Sequence, residues 1–226
     1  LNAVLAPPLP WFALIDAAAH AALPRLAAVR AAPREAAVAD EADLSDVQAT
    51  LGGDGAAFAR VVGRHQQDVA RQMARFTRDQ ATLEQLVQDT FIEAWQGLAG
   101  WSGRSPLGAW LRTIATRVGY RFWRTRARDR RLQDQDDPAL AEALARAAAA
   151  PGALEPLDAA ELLHAVLARL SPRDRLVLTL LYWEGCSVED AAQRTGWSRA
   201  LVKVQAFRAR RRLEKLLPPG LRPEGR

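Results

Sequence analysis

The sequence predicts an all-α protein of two small helical domains joined by a flexible linker. Three observations carry this. Apolar residues recur at three- and four-residue spacing through two long blocks. No long alternating run of β-branched residues appears. Between the blocks, residues 132–157 lose their aromatic and β-branched side chains and gain Asp134, Asp136, Asp137, Pro138, Pro151 and Pro156. With 49% hydrophobic and 25% charged residues in 226, the chain has ordinary globular composition, which excludes disorder throughout.

The expected organisation is an N-terminal extension over residues 1–43, a first domain over 44–131, the linker over 132–157, a second domain over 158–217 and a tail over 218–226. The extension is rich in Ala, Pro and Leu. Its most apolar part, Val4 to Val29, is broken by Pro7, Pro8, Pro10, Asp16, His20, Pro24 and Arg25, and no basic segment precedes it. The expectation is therefore neither a membrane span nor a signal peptide.

In the first domain Asp54 is placed to cap a helix running through Phe58, Val61 and Val62. The next helix carries Leu83, Leu86, Val87, Phe91, Ala94 and Trp95 as one apolar stripe, with Glu84, Gln85, Gln88, Asp89 and Glu93 opposite. That polar, mostly acidic face repels DNA and fits either a basic protein partner or plain solvent. Residues 97–105 read as a loop. Ser105 and Pro106 then form a cap-and-proline pair that opens a helix through Leu107, Trp110, Leu111, Ile114, Ala115 and Val118. Its end is crowded with Arg117, Arg121, Arg124, Arg126, Arg128, Arg130 and Arg131 against one acid, Asp129.

A charge run is usually a solvated surface. Here Trp95, Trp101, Trp110, Tyr120, Phe122 and Trp123 are interleaved with the arginines, and stacking faces beside a cationic track suit unpaired bases. Trp95 and Trp110 fall on apolar stripes and are expected in the core. Within the linker, residues 140–149 carry enough alanine and leucine for a transient helix.

In the second domain Ser171, Pro172 and Asp174 make a cap-proline-acid start for a helix that Gly185 closes. Ser187 through Asp190 start a short helix ending near Gly196, and Ser198 caps a long one to about Leu217. Small Ala192, Gly196 at the turn and apolar Val202 stand at helix-turn-helix spacing. Arg199, Lys203, Arg208, Arg211, Arg212 and Lys215 lie outward on the second of these helices, placed for bases at its start and phosphates beyond. The other reading is a helical hairpin with a solvated basic face.

Basic residues outnumber acidic ones by 31 to 26, a net charge of +5 whose clustering matters more than its size. One cysteine, Cys186, excludes an internal disulfide, and its place between two helices favours packing over a redox role. His20, His65 and His164 have no metal-ligand spacing, and no nucleophile with an adjacent base or glycine-rich phosphate loop is present. The expectation is a cytoplasmic protein without cofactor or metal, and not an enzyme.

Leu86-Val87-Gln88-Asp89-Thr90-Phe91 with Ala94-Trp95, then Trp110 through Ala115 and the arginine tail, resembles region two of the extracytoplasmic-function sigma factors of the sigma-70 family. Leu170 through Arg175, Tyr182, Glu184-Gly185, Ser187, Glu189, Ala192, Gly196, Val202-Lys203 and Arg208 through Arg210 resemble their region four. The resemblance implies a factor that directs RNA polymerase to promoters and helps to melt them. Glu84, Gln85, Gln88, Asp89 and Glu93 would dock the clamp of the polymerase β′ subunit. Trp101, Ser102, Gly103, Arg104, Ser105, Arg112, Thr113, Arg117, Tyr120, Arg121 and Arg124 would hold the opened minus-ten element. Arg199, Ala200, Lys203, Val204, Arg208 and Arg211 would meet the minus-thirty-five element. The family also implies an anti-sigma partner.

The chain departs from the family pattern at Ala115-Thr116-Arg117 and Arg121, and Leu201, Val204 and Phe207 stand where polar residues are usual. Residues 1–43 match nothing in the family and read as an extra element or as sequence upstream of the native start. The competing function is a helix-turn-helix regulator that binds duplex DNA without polymerase.

Overall fold

The computed structural model describes residues 40–131, 138–149 and 156–217. These residues are helical and turn segments with no strand among them. They fall into two compact units, one of residues 40–129 with 192–197 and one of 130–191 with 198–217.

The first unit opens with a helix that begins just before the helical block read from Leu44. α1, Glu41–Leu51, starts inside the stretch read as extension, with Asp40 accepting the Ala42 N–H at 3.0 Å. Residues 1–39 lie outside the described residues. The reason α1 escapes periodicity is chemical. Its buried face carries Asp43 and Asp46 beside Val47 and Thr50, and it is held by ion pairs more than by an apolar stripe. Asp46 accepts from Arg60 at 2.6 Å and Arg64 at 2.7 Å, while Asp43 meets Arg64 at 3.0 Å and His65 at 3.0 Å.

α2, Gly55–Met73, begins as expected at Asp54, whose carboxylate accepts the Ala56 N–H at 2.9 Å. It buries Ala57, Val61, Val69 and Met73. Gln72 donates to the Arg112 carbonyl at 3.1 Å and to Thr116 Oγ1 at 3.0 Å, tying α2 to the long helix. α3, Gln80–Gly97, is capped by Asp79, and a single 3-10 turn, Leu98–Gly100, follows it. α4, Leu107–Arg131, starts with the Pro106 carbonyl accepting from Trp110 at 3.3 Å, one residue beyond the expected serine cap. Leu107, Leu111, Ala115, Val118 and Trp123 fill the core from α4. The ring of Phe76 lies across Gly119, packed 4.4 Å from Trp123, whose indole N–H donates to the Phe76 carbonyl at 2.9 Å.

In the second unit α5, Pro138–Ala149, occupies part of the stretch read as a linker, a longer helix than the transient one expected there. α6, Pro156–Ala168, buries Leu162, Leu163, Val166 and Leu167. α7, Pro172–Leu178, starts at the predicted Ser171 cap and passes into a π turn, Thr179–Trp183. α8, Val188–Thr195, whose residues from Ala192 group with the first unit, is opened by Ser187 and Asp190, which exchange backbone and side-chain hydrogen bonds. Gly196 ends it at φ +74°, the left-handed region that glycine enters freely. α9, Arg199–Leu216, is capped by Ser198. Cys186 is buried, consistent with packing.

One buried acid organises this unit. Asp174, fully buried, accepts from Ser171 Oγ at 2.7 Å, Gln205 Nε2 at 2.6 Å and Arg212 at 2.5 Å, so α7 and α9 are latched through a single carboxylate. No described helix is long and apolar enough to cross a membrane.

Candidate nucleic-acid interface

The acidic residues of α3 lie where helical spacing put them, with Glu84, Gln85 and Gln88 exposed and Asp89 and Glu93 half-buried. Gln80 donates to Glu84 at 2.7 Å and Gln85 to Asp89 at 2.8 Å, pairs one turn apart that hold the carboxylates outward. The expected single apolar stripe on this helix divides in two. Leu86, Thr90, Phe91 and Ala94 turn into the core. Leu83, Val87, Ile92 and Trp95 instead line an open groove of about 680 Å³ between α2 and α3, with Phe58 and Val62 on the far wall.

Trp95, expected in the core, is 48% exposed and touches Phe58 edge-on at 4.9 Å. Ile92 is 46% exposed beside it. The reason is that α3 carries apolar residues around more of its circumference than its packed neighbours cover. Glu84 and Gln88 stand on the rim of the groove, so the acidic face and the apolar one adjoin. The sequence reading missed Phe58, Val62 and Ile92 as candidates. The signal available was that excess apolar width.

The aromatic residues of the first unit separate by role. Trp101 is buried and its indole N–H donates to the Ser105 carbonyl at 3.1 Å, which makes it an anchor of the 101–105 loop. Trp123 is also core, while Trp110, Tyr120 and Phe122 are half-buried. Ser102, Arg104 and Ser105 are exposed on the loop. Gly103 turns it at φ +71°, where an added Cβ would lie 3.0 Å from Leu44.

On α4, Thr113, Arg117, Tyr120, Arg121 and Arg124 share one face by helical spacing, and Arg112 lies off it by about a quarter-turn. The four arginines at 112, 117, 121 and 124 are exposed. Arg124 lies over the Tyr120 ring at 5.9 Å and Arg126 over Phe122 at 5.6 Å, so cation and stacking surface come as units. Thr113 Oγ1 donates back to the Ala109 carbonyl at 3.3 Å. Arg121 pairs with Glu93, linking a residue of the arginine face to one of the acidic face.

On α9, Val202, Gln205, Ala206, Ala209 and Leu213 are buried. Arg199, Ala200, Lys203, Val204, Arg208 and Arg211 are exposed. Arg199 is held by Glu189 of α8 at 2.9 Å, and Arg211 lies over the Phe207 ring at 5.8 Å. Nearby, burial pushes the Tyr182 phenol above its ordinary range, against the opposing pull of Arg210.

Residues 61–129 match the family model described as Sigma-70 region 2, and residues 160–213 match Sigma-70, region 4. Over 193 residues the chain is 32% identical to the ECF RNA polymerase sigma factor BldN of Streptomyces coelicolor, a match covering 84% of this chain and 71% of that protein. It is 30% identical over 189 residues to the RNA polymerase sigma-H factor of Pseudomonas aeruginosa, covering 80% of this chain and 97% of that one. Among solved structures, CnrH in complex with the cytosolic domain of CnrY is 26% identical, with a TM-score of 0.47 over 78% of this chain and 97% of the other. Two regions in family order, with relatives matched along most of their length, set aside the stand-alone regulator: the chain belongs to the sigma-70 family, as an RNA polymerase sigma factor of the extracytoplasmic-function type.

Proposed function

We propose that the three exposed surfaces divide the work of promoter recognition. The observation that carries this is their difference in chemistry. α3 offers acid beside an apolar groove. The 101–105 loop and α4 offer arginines stacked on aromatic rings. α9 offers a cationic helix face beyond a glycine turn.

The α3 surface suits a helical, basic partner, the clamp of the polymerase β′ subunit. Glu84, Gln85, Gln88, Asp89 and Glu93 supply the polar contacts, and Ile92 and Trp95 supply apolar area at low entropic cost. On α4, Arg117, Tyr120 and Arg124 track the unpaired minus-ten strand, with Ser102, Gly103, Arg104 and Ser105 placed for a base turned out of the stack. Trp101 acts by holding that loop. The start of α9 enters the major groove of the minus-thirty-five element, with Arg199, Ala200, Lys203 and Val204 near the bases and Arg208 and Arg211 near phosphates.

The chain does no chemistry of its own in this scheme, because positioning and melting need binding energy alone. An anti-sigma protein that covers these surfaces follows from the family resemblance.

The test is transcription by core polymerase with and without the protein on fragmented DNA of the source organism, with the transcript starts sequenced. Starts that share upstream motifs and need the protein support the scheme. Absence of new starts with duplex binding intact would refute it.

A further inference from the structure

α9 turns an apolar centre toward the outside. Ala200, Val204, Phe207 and Arg211 follow one another at four, three and four residues, which sets them on one line of the helix opposite buried Val202, Ala206, Ala209 and Leu213. Leu201 flanks that line. Leu201, Val204 and Phe207 are 39%, 46% and 53% exposed. Each alone would be unremarkable on a protein surface; two on the outermost line of one helix and a third beside it leave an apolar strip in water.

The strip is bordered by exposed cations, Lys203 on one side and Arg208 on the other, with Arg211 and Lys215 beyond it toward the helix end. That rim identifies the occupant as a polyanion. A duplex major groove displays one apolar group at its base edges, the thymine 5-methyl, flanked by phosphate rows that a cationic rim complements.

We propose that Leu201, Val204 and Phe207 form a thymine-reading strip, so that the upstream element is selected by thymine methyls rather than chiefly by hydrogen bonds to base edges. This rests on the assignment of α9 to the minus-thirty-five element and adds the chemistry of its selectivity. Hydrogen-bonding capacity at the start of the helix is correspondingly thin. Arg199 gives one N–H group to Glu189 and Ala200 has no polar side-chain atom, leaving the remaining N–H groups of Arg199 and the Lys203 ammonium as the side-chain donors of that first turn.

The test uses holoenzyme, the full chain with core polymerase, on a promoter recovered by mapping transcript starts. Each upstream thymine is replaced by deoxyuridine, which keeps the base pair and removes only the methyl. One methyl buried against the strip is worth about 0.8 kcal/mol, so two or more positions should each lose about fourfold in affinity. Leu201→Ala and Val204→Ala should bind the thymine and uracil templates equally at the position they cover; both side chains are exposed, so the fold tolerates the change.

Equal binding of thymine and uracil templates by the unaltered protein, while scrambling the element still weakens it, overturns the strip alone. If scrambling the element also has no effect, the assignment of α9 falls with it. Should Leu201→Ala and Val204→Ala impair assembly with core polymerase and keep the full uracil response, the face belongs to a protein partner and the proposal is wrong.

Discussion

Gly119→Ala should destabilise the first unit, although helix propensity alone says the reverse. Alanine in a helix interior is favoured over glycine by about 0.8–1.0 kcal/mol. At position 119, however, an added Cβ would lie 2.4–2.5 Å from three carbons of the Phe76 ring. Ordinary contact begins near 3.4 Å, so ring and helix must part by about an ångström. The ring cannot swing aside cheaply, because Trp123 packs on it at 4.4 Å and holds the Phe76 carbonyl at 2.9 Å. Overpacking of this kind costs about 1–3 kcal/mol or more, and the close approach puts this site at the upper end.

The net loss is then about 2 kcal/mol, which for a unit of this size lowers Tm by roughly 8–16 °C. The assay is thermal unfolding followed by circular dichroism, with Gly63→Ala as the control. Gly63 lies inside α2 with nothing within 4 Å of an added Cβ, so the same substitution there should raise Tm by a few degrees, from about 0.5–1 kcal/mol. If both variants are stabilised, the Phe76 contact is not what selects glycine at 119.

The Asp46 carboxyl is held below its ordinary range by hydrogen bonds from Arg60 and then Arg64. A depressed folded pKa contributes stability above the unfolded value near 4 and loses it as pH falls through the folded value. Acid titration of helicity should therefore show a loss below about pH 4 in the native chain that is reduced in Asp46→Asn, and identical curves would dismiss the α1 clamp. Asp174→Ala strands buried Gln205 and should cost the second unit about 1–3 kcal/mol in urea unfolding; an unchanged midpoint would show that α7 and α9 are held without it. Arg208→Ala and Arg211→Ala should each flatten the dependence of log affinity on log salt by about 0.9 for duplex upstream DNA, while leaving polymerase binding intact. Asp89→Ala and Trp95→Ala should weaken the polymerase complex first, read by co-elution with core enzyme, and no effect from either would move the clamp site off α3.

What was legible in the chain was local. Asp54, Ser171 and Ser198 cap helices through bonds to backbone N–H groups two or three residues away, and Gly196 supplies a positive φ within one turn. Such features need no distant partner, so residue type and spacing reveal them, and the two helical blocks with the helix-turn-helix spacing follow. The candidate site residues were legible for the same reason, since the acids of α3 and the cations of α4 and α9 lie on faces set by helical period.

Tertiary packing decided which faces are covered. Trp95 and Trp101 are the same residue type a few positions apart; one lines an open groove and the other is a buried loop anchor, because their surroundings come from α2 and from the 101–105 turn. α1 lay mostly within the helical block read from Leu44 but was not singled out, because charge pairs with Arg60 and Arg64 replace the apolar stripe that periodicity detects. Asp174 read as part of a helix start, yet it also latches residues 31 and 38 positions away. Periodicity reports how a helix is divided, whereas burial depends on residues brought together from across the chain. The sequence could therefore name the helices and their faces, and only the folded structure could say which of those faces remain open to a partner.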